Sequence, residues 1–180
     1  AVQKTSSGTD WKTDVNFDWA KYAAKRDDCS TCPSAGSLAS NIMNAYLEGR
    51  TLITNEKALS EISVQRAIVV ENWEKVVGAN VIHYANAVDA AITAGGSGFD
   101  CSADSNCSKY WSEMAAFALS LQFNLYSDMT DAELTTIHGY VGMAPPSATT
   151  DLTTYQTNLG LLKSAIGDKL GFVAADLTNW

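Results

Sequence analysis

Residues 56–93 read EKALSEISVQRAIVVENWEKVVGANVIHYANAVDAAIT, and this stretch decides the fold. Ile62, Val69, Trp73, Val76, Val77, Val81, Tyr84, Val88 and Ile92 recur at three- and four-residue steps, the period of an α-helix. Alternation of period two, the signature of a half-buried strand, is missing. The opposite side is only partly polar, carried by Glu71, Lys75, Asn86 and Asp89. A helix apolar over so much of its circumference is contacted from several directions, so this element is expected at the centre of a helical bundle. It is one long helix or two joined ones, stopped by Gly95, Gly96 and Gly98. Gly78 lowers its local stability by about 1 kcal/mol relative to Ala and is suited to a close helix crossing.

Towards the N-terminus, Phe17, Trp19, Tyr22 and Ala23 give a helix over about 16–26, with Lys25 and Arg26 at its negative end. A second helix is expected from near Ser34, with Leu38, Ile42, Ala45 and Tyr46 on its stripe and Gly49 as its stop. Residues 1–13 are polar and rich in Gly, Ser and Thr; they read as a flexible arm in front of a single helical domain, 14–180. Trp11 is the arm's large apolar anchor. With Lys4 and Asp10 it forms the set of expected partner contacts.

Towards the C-terminus, a fourth helix is expected from Ser108 to about Phe123, with Met114, Phe117, Ala118, Leu121 and Leu125 as its buried face. Thr130-Asp131-Ala132-Glu133 is a capping box that opens a short helix ending near Gly139. Pro145 and Pro146 mark a linker. Asp151 or Thr150 then caps a last helix whose stripe is Leu152, Tyr155, Leu159, Leu162, Ile166 and Val173, with a break expected near Gly167. The fold class is therefore all-α: an antiparallel bundle of five to seven helices around one long central helix.

The four cysteines fall in two close pairs, Cys29/Cys32 and Cys101/Cys107, both in polar loops between helical patterns. Two local disulfides in an oxidising compartment are the expectation, with crossed pairing as the alternative. A zinc site from all four thiolates is disfavoured by the five-residue gap in the second pair. A thiol redox role for Cys29/Cys32 is the third reading, although no βαβ context surrounds that motif. With a chain that starts at Ala1 as if after leader cleavage, the disulfides point to an exported protein: periplasmic, extracellular or in an organelle lumen.

The formal net charge is −8, from 12 basic and 20 acidic residues. Such a chain is repelled by phosphate backbones and anionic bilayers, which argues against nucleic acid and lipid surfaces as partners. No apolar run is long enough to cross a bilayer. No nucleophile elbow, phosphate loop or dinucleotide fingerprint is present, so the chain is read as non-enzymatic and no cofactor is expected. Asp100, Asp104 and Asn106 lack the spacing and terminal Glu of a calcium loop. His83 has Ala79, Asn86 and Ala87 at the positions where a second helical ligand would stand. His138 sits where a cation favours a helix C-terminus. These two histidines and Glu113 are the candidate ligand residues for a metal or small molecule.

The segment from Lys109 to Asn124, KYWSEMAAFALSLQFN, resembles exported bacterial helical proteins of unknown function related to the imelysins. The similarity extends over Asp131 to Pro145, with His138, Gly142, Ala144 and Pro145. The resemblance implies a helical bundle in an extracytoplasmic setting. Imelysins are associated with iron uptake and a His-x-x-Glu motif; here Tyr110 stands where the His would precede Glu113. Two functions follow as expectations. The first is an accessory or binding subunit that docks on a larger protein assembly. The alternative is an imelysin-like metal or small-ligand binder.

Overall fold

The computed structural model describes residues 18–180. Their regular structure is entirely helical: α1 (Asp18–Asp27), α2 (Leu38–Thr54), α3 (Leu59–Gly95), α4 (Ser105–Ser120), α5 (Asp131–Val141), α6 (Leu152–Leu170) and α7 (Ala174–Asn179). A 3-10 turn, Leu121–Phe123, closes α4. The central stretch forms one unbroken helix of 37 residues, about 55 Å long at the usual rise. The all-α class, the single long helix and the two local disulfides are as the sequence predicts. The arm and its Trp11, Lys4 and Asp10 lie outside the described residues. Packing groups the described residues into two compact units, the first ending at Val76 and the second running from Val77 to Trp180, so the boundary falls inside α3.

In the first unit, α1 and α2 close around Ala23, Leu38, Ala39, Ile42 and Val76, with Trp73 packed against them. Asn41 Nδ2 donates to Asn72 Oδ1 at 3.2 Å, and Asn72 returns its own amide to the Ile68 carbonyl at 2.8 Å. The buried Asn72 is thereby satisfied. Two expectations are corrected here. The second helix starts at Leu38 and not near Ser34, because the turns after Cys29 continue through Ala35. It also runs past Gly49 to Thr54. Gly49 is a buried mid-helix residue against Gln65 of α3, so tertiary packing overrides its stop signal.

In the second unit, the buried residues Val81, Ile82, Ala85, Val88 and Ile92 of α3 share a core with Met114, Phe117 and Ala118 of α4. Ile137 and Val141 of α5 and Tyr155, Leu159, Leu162 and Ile166 of α6 complete it. Gly78 lies against Leu170, Ile166 and Phe172, the close crossing expected of it. The capping box forms as read: Glu133 N donates to Thr130 Oγ1, and Thr130 N to Glu133 Oε2. Helix α5 reaches Val141, two residues beyond Gly139, and ends on Gly142 at φ 81°. Helix α6 passes through Gly167, which packs on Leu177, and ends on the left-handed Gly171. Val173 therefore leaves the stripe, is exposed, and starts α7.

Candidate functional site

The connection from α4 to α5 departs most from the sequence reading. Leu125 is expected on the buried face of the fourth helix; instead it is 94% exposed, with Phe123 at 71% and Tyr126 at 59%. The cause is local. The α-helix ends at Ser120, tightens to 3-10 geometry, and leaves helical space at Asn124, whose backbone is extended. Leu125 no longer follows the register that buries Leu121.

Asn124 holds this exposed turn in place. Its side-chain oxygen accepts from Tyr126 N at 3.0 Å, and its carbonyl accepts from Ser127 N at 3.1 Å. Ser127 Oγ then accepts from Met129 N at 3.1 Å. The Asn and Ser side chains replace helix bonds with a fixed turn, and the apolar groups between them face solvent. The signal was present in sequence as Asn124, Ser127 and Asp128, residues that favour turns over helix interiors.

Met129 leads from the turn into a cleft of about 450 Å³ between α5 and α6. Ala132, Thr136, Ile137 and Ala165 supply its apolar wall; Glu133, Asp168 and Lys169 supply its polar edge. Lys169 Nζ lies 3.1 Å from both carboxylate oxygens of Glu133. The backbone N–H and the hydroxyl of Thr130, with Lys169, hold the Glu133 carboxyl down to about 2. This carboxylate stays charged and occupied as a helix cap.

A second, more polar cleft of about 630 Å³ lies at the C-terminal end of α3. Thr93, the Gly96-Ser97-Gly98 loop, Thr150, Asp151 and Gln156 line it. Its side chains largely satisfy one another. Gln156 Nε2 donates to Asp89 Oδ1 at 2.7 Å and Thr93 Oγ1 at 3.0 Å, and Asp151 caps α6 through Thr153 N and Thr154 N.

The sequence-predicted ligand residues are spread over three helices: His83 on α3, Glu113 on α4 and His138 on α5. Among the described residues no group of three or more His, Cys, Asp or Glu side chains is placed to hold a metal ion. Tyr110, three residues before Glu113, lies in an aromatic column. Its ring centroid is 6.3 Å from that of Tyr84, which stacks on Phe117 at 6.0 Å. Trp111, beside it, donates to the Val141 carbonyl at 3.2 Å, which also accepts from the Tyr155 hydroxyl at 3.0 Å. Burial pushes the Tyr155 phenol up to about 12. Tyr110 and Phe117 thus serve packing, and Trp111 anchors the end of α5.

Both cysteine pairs form the local disulfides, Cys29–Cys32 and Cys101–Cys107, with Cα atoms 5.4 and 5.1 Å apart. No helix among the described residues is long and apolar enough to cross a membrane. No family model, curated protein or solved structure matches the chain.

Proposed function

We propose that this chain is a non-enzymatic binding subunit of an extracytoplasmic compartment, docking on a larger protein assembly through the Phe123–Tyr126 turn. The observation that carries the reading is the turn itself: Phe123, Leu125 and Tyr126 are large apolar side chains exposed within four residues, and Asn124 holds the backbone from 124 to 127. Exposed apolar groups on a rigid support are what interface anchors require, because little ordering entropy remains to be lost on binding. Asp128 and Asp131 are exposed on the C-terminal side of the turn, and the whole chain is acidic. The complementary surface is an apolar recess with basic side chains on its rim. Two disulfides support the oxidising compartment.

The test places a photo-crosslinking amino acid at Leu125 in the full chain, expressed in its native host. A discrete cross-linked partner is expected, lost in Phe123→Ser/Tyr126→Ser with the melting temperature unchanged. No adduct at Leu125, with a monomer recovered from native extract, overturns the docking role.

A further inference from the structure

The two disulfides differ in exposure at one sulfur-bearing residue, Cys29. Cys101 and Cys107 are both fully buried; Cys107 sits in the first turn of α4, where its backbone N–H donates to Asp104, and Ser102 N donates to the Pro146 carbonyl over the same loop. Cys32 is also buried, but Cys29 is partly exposed in the short connection from α1 to α2. Thiol–disulfide exchange needs a thiolate to approach one sulfur along the line of the bond, so access selects both the disulfide and the sulfur attacked.

We infer that Cys29–Cys32 is a thiol-exchange site that controls the N-terminal cap of α2. An external thiolate attacks Cys29 Sγ. A new sulfur–sulfur bond forms to Cys29, the Cys29–Cys32 bond breaks, and Cys32 leaves as a thiolate that takes up a proton. When the attacker is a dithiol, its second thiolate displaces Cys29. Two electrons and two protons then end on the protein, and the reductant ends as its own disulfide. The ligand class is a small or protein-borne thiol, with a dithiol oxidoreductase as the full reductant.

The consequence follows from what the connection holds. Ser37 stands at the N-cap of α2 yet makes no side-chain cap bond. Asp27, at the end of α1, does this work from eleven residues away: its two carboxylate oxygens accept from Leu38 N at 3.0 Å and Ala39 N at 3.2 Å. Asp27 is buried, and Leu38 and Ala39 belong to the core of the first unit. The Cys29–Cys32 bond closes the chain between the carboxylate and the amides it caps. Opening that bond restores freedom to this connection and loosens the cap.

The experiment uses the full folded chain with two probes. Glutathione is expected to form an adduct on Cys29 and not on Cys32, read by peptide mass. Dithiothreitol followed by alkylation is expected to label Cys29 and Cys32 at least about tenfold faster than Cys101 and Cys107, a ratio that falls towards one in guanidinium. Amide exchange at Leu38 and Ala39 is expected to rise on this selective reduction while α4 stays protected. Equal reduction rates in the folded protein, an adduct on Cys32, or unchanged exchange at Leu38 and Ala39 overturns the inference.

Discussion

Asn86 Nδ2 donates to the backbone carbonyl of Trp180 at 2.8 Å, joining the C-terminal third of α3 to the residue that follows α7. The same amide reaches the Leu177 carbonyl at 3.1 Å, and its Oδ1 accepts from Lys163 Nζ at 2.8 Å. Helix C-termini leave carbonyls without intrahelical partners, and a side chain of another helix supplies them here. Trp180 itself is buried and meets Phe172 edge to face, with ring centroids 4.6 Å apart. Asn86→Ala removes the partners of two carbonyls and one ammonium. The expected loss is about 1–3 kcal/mol, read as a lowered melting temperature with helicity retained below it. A melting temperature unchanged within a degree contradicts the role.

Two glycines inside helices predict opposite outcomes. A Cβ on Gly49 meets only Gln65 Cβ at 3.5 Å, an ordinary contact, so Gly49→Ala gains helix propensity without a clash. It is expected to stabilise the chain by up to about 1 kcal/mol. A Cβ on Gly78 collides with Leu170 and comes within 3.1 Å of Ile166 Cγ2 and 3.3 Å of the Phe172 ring. Ile166 is fully buried and has no room to yield. Gly78→Ala is expected to destabilise by about 1–2 kcal/mol net, overpacking exceeding the propensity gain. Thermal unfolding of both variants in parallel checks the pair, and a shift of the same sign in both sinks the distinction.

These glycines also show where a sequence stops being readable. Period and capping residues are local, so the helices, the Thr130–Glu133 box, the Asp151 cap and the cysteine pairs were legible along the chain. Gly49, Gly78 and Gly167 carry the same letter, but their meaning depends on which distant side chain lies opposite: Gln65, Leu170 or Leu177. Leu125 leaves the expected face because one 3-10 turn shifts the register and the chain then enters a turn held by Asn124 bonds, which no apolar pattern encodes. The cleft between α5 and α6 was invisible for the same reason: Met129, Ile137 and Ala165 come from three separate stretches of chain.

The α5 cap makes a pH prediction. Glu133 is depressed to about 2 by bonds from the Thr130 N–H and hydroxyl first, and by Lys169 next. A depressed carboxyl contributes stability that is present above its unfolded value and lost as pH falls through its folded value. The cap and the Lys169 bridge are therefore expected to persist through pH 4 and to fail only towards pH 2. A carbon-13 titration of the Glu133 carboxyl should give a midpoint near 2, moving upward in Thr130→Val. A midpoint near 4 in the parent chain contradicts the cap.

Helix α2 offers the sharpest contrast between a residue placed to cap and a residue that caps. By sequence, Ser37 precedes the helix and belongs to the class that favours N-caps. In the structure its hydroxyl makes no cap bond, and its carbonyl serves Asn41 N and Ser40 Oγ, bonds that Ala would keep. Ser37→Ala is expected to change stability by less than about 0.5 kcal/mol. Asp27→Ala is different. It strips a buried two-oxygen acceptor from Leu38 N and Ala39 N, and those amides are shielded where water cannot readily replace the carboxylate. The expected cost is about 2 kcal/mol, at the upper end for a lost cap. Asp27→Asn keeps the shape and one acceptor oxygen but turns a donor towards the second amide, so it should fall between the two. Denaturant unfolding of the three variants gives the order directly. If Ser37→Ala costs as much as Asp27→Ala, the cap is local and the reach across the disulfide loop does not hold the helix.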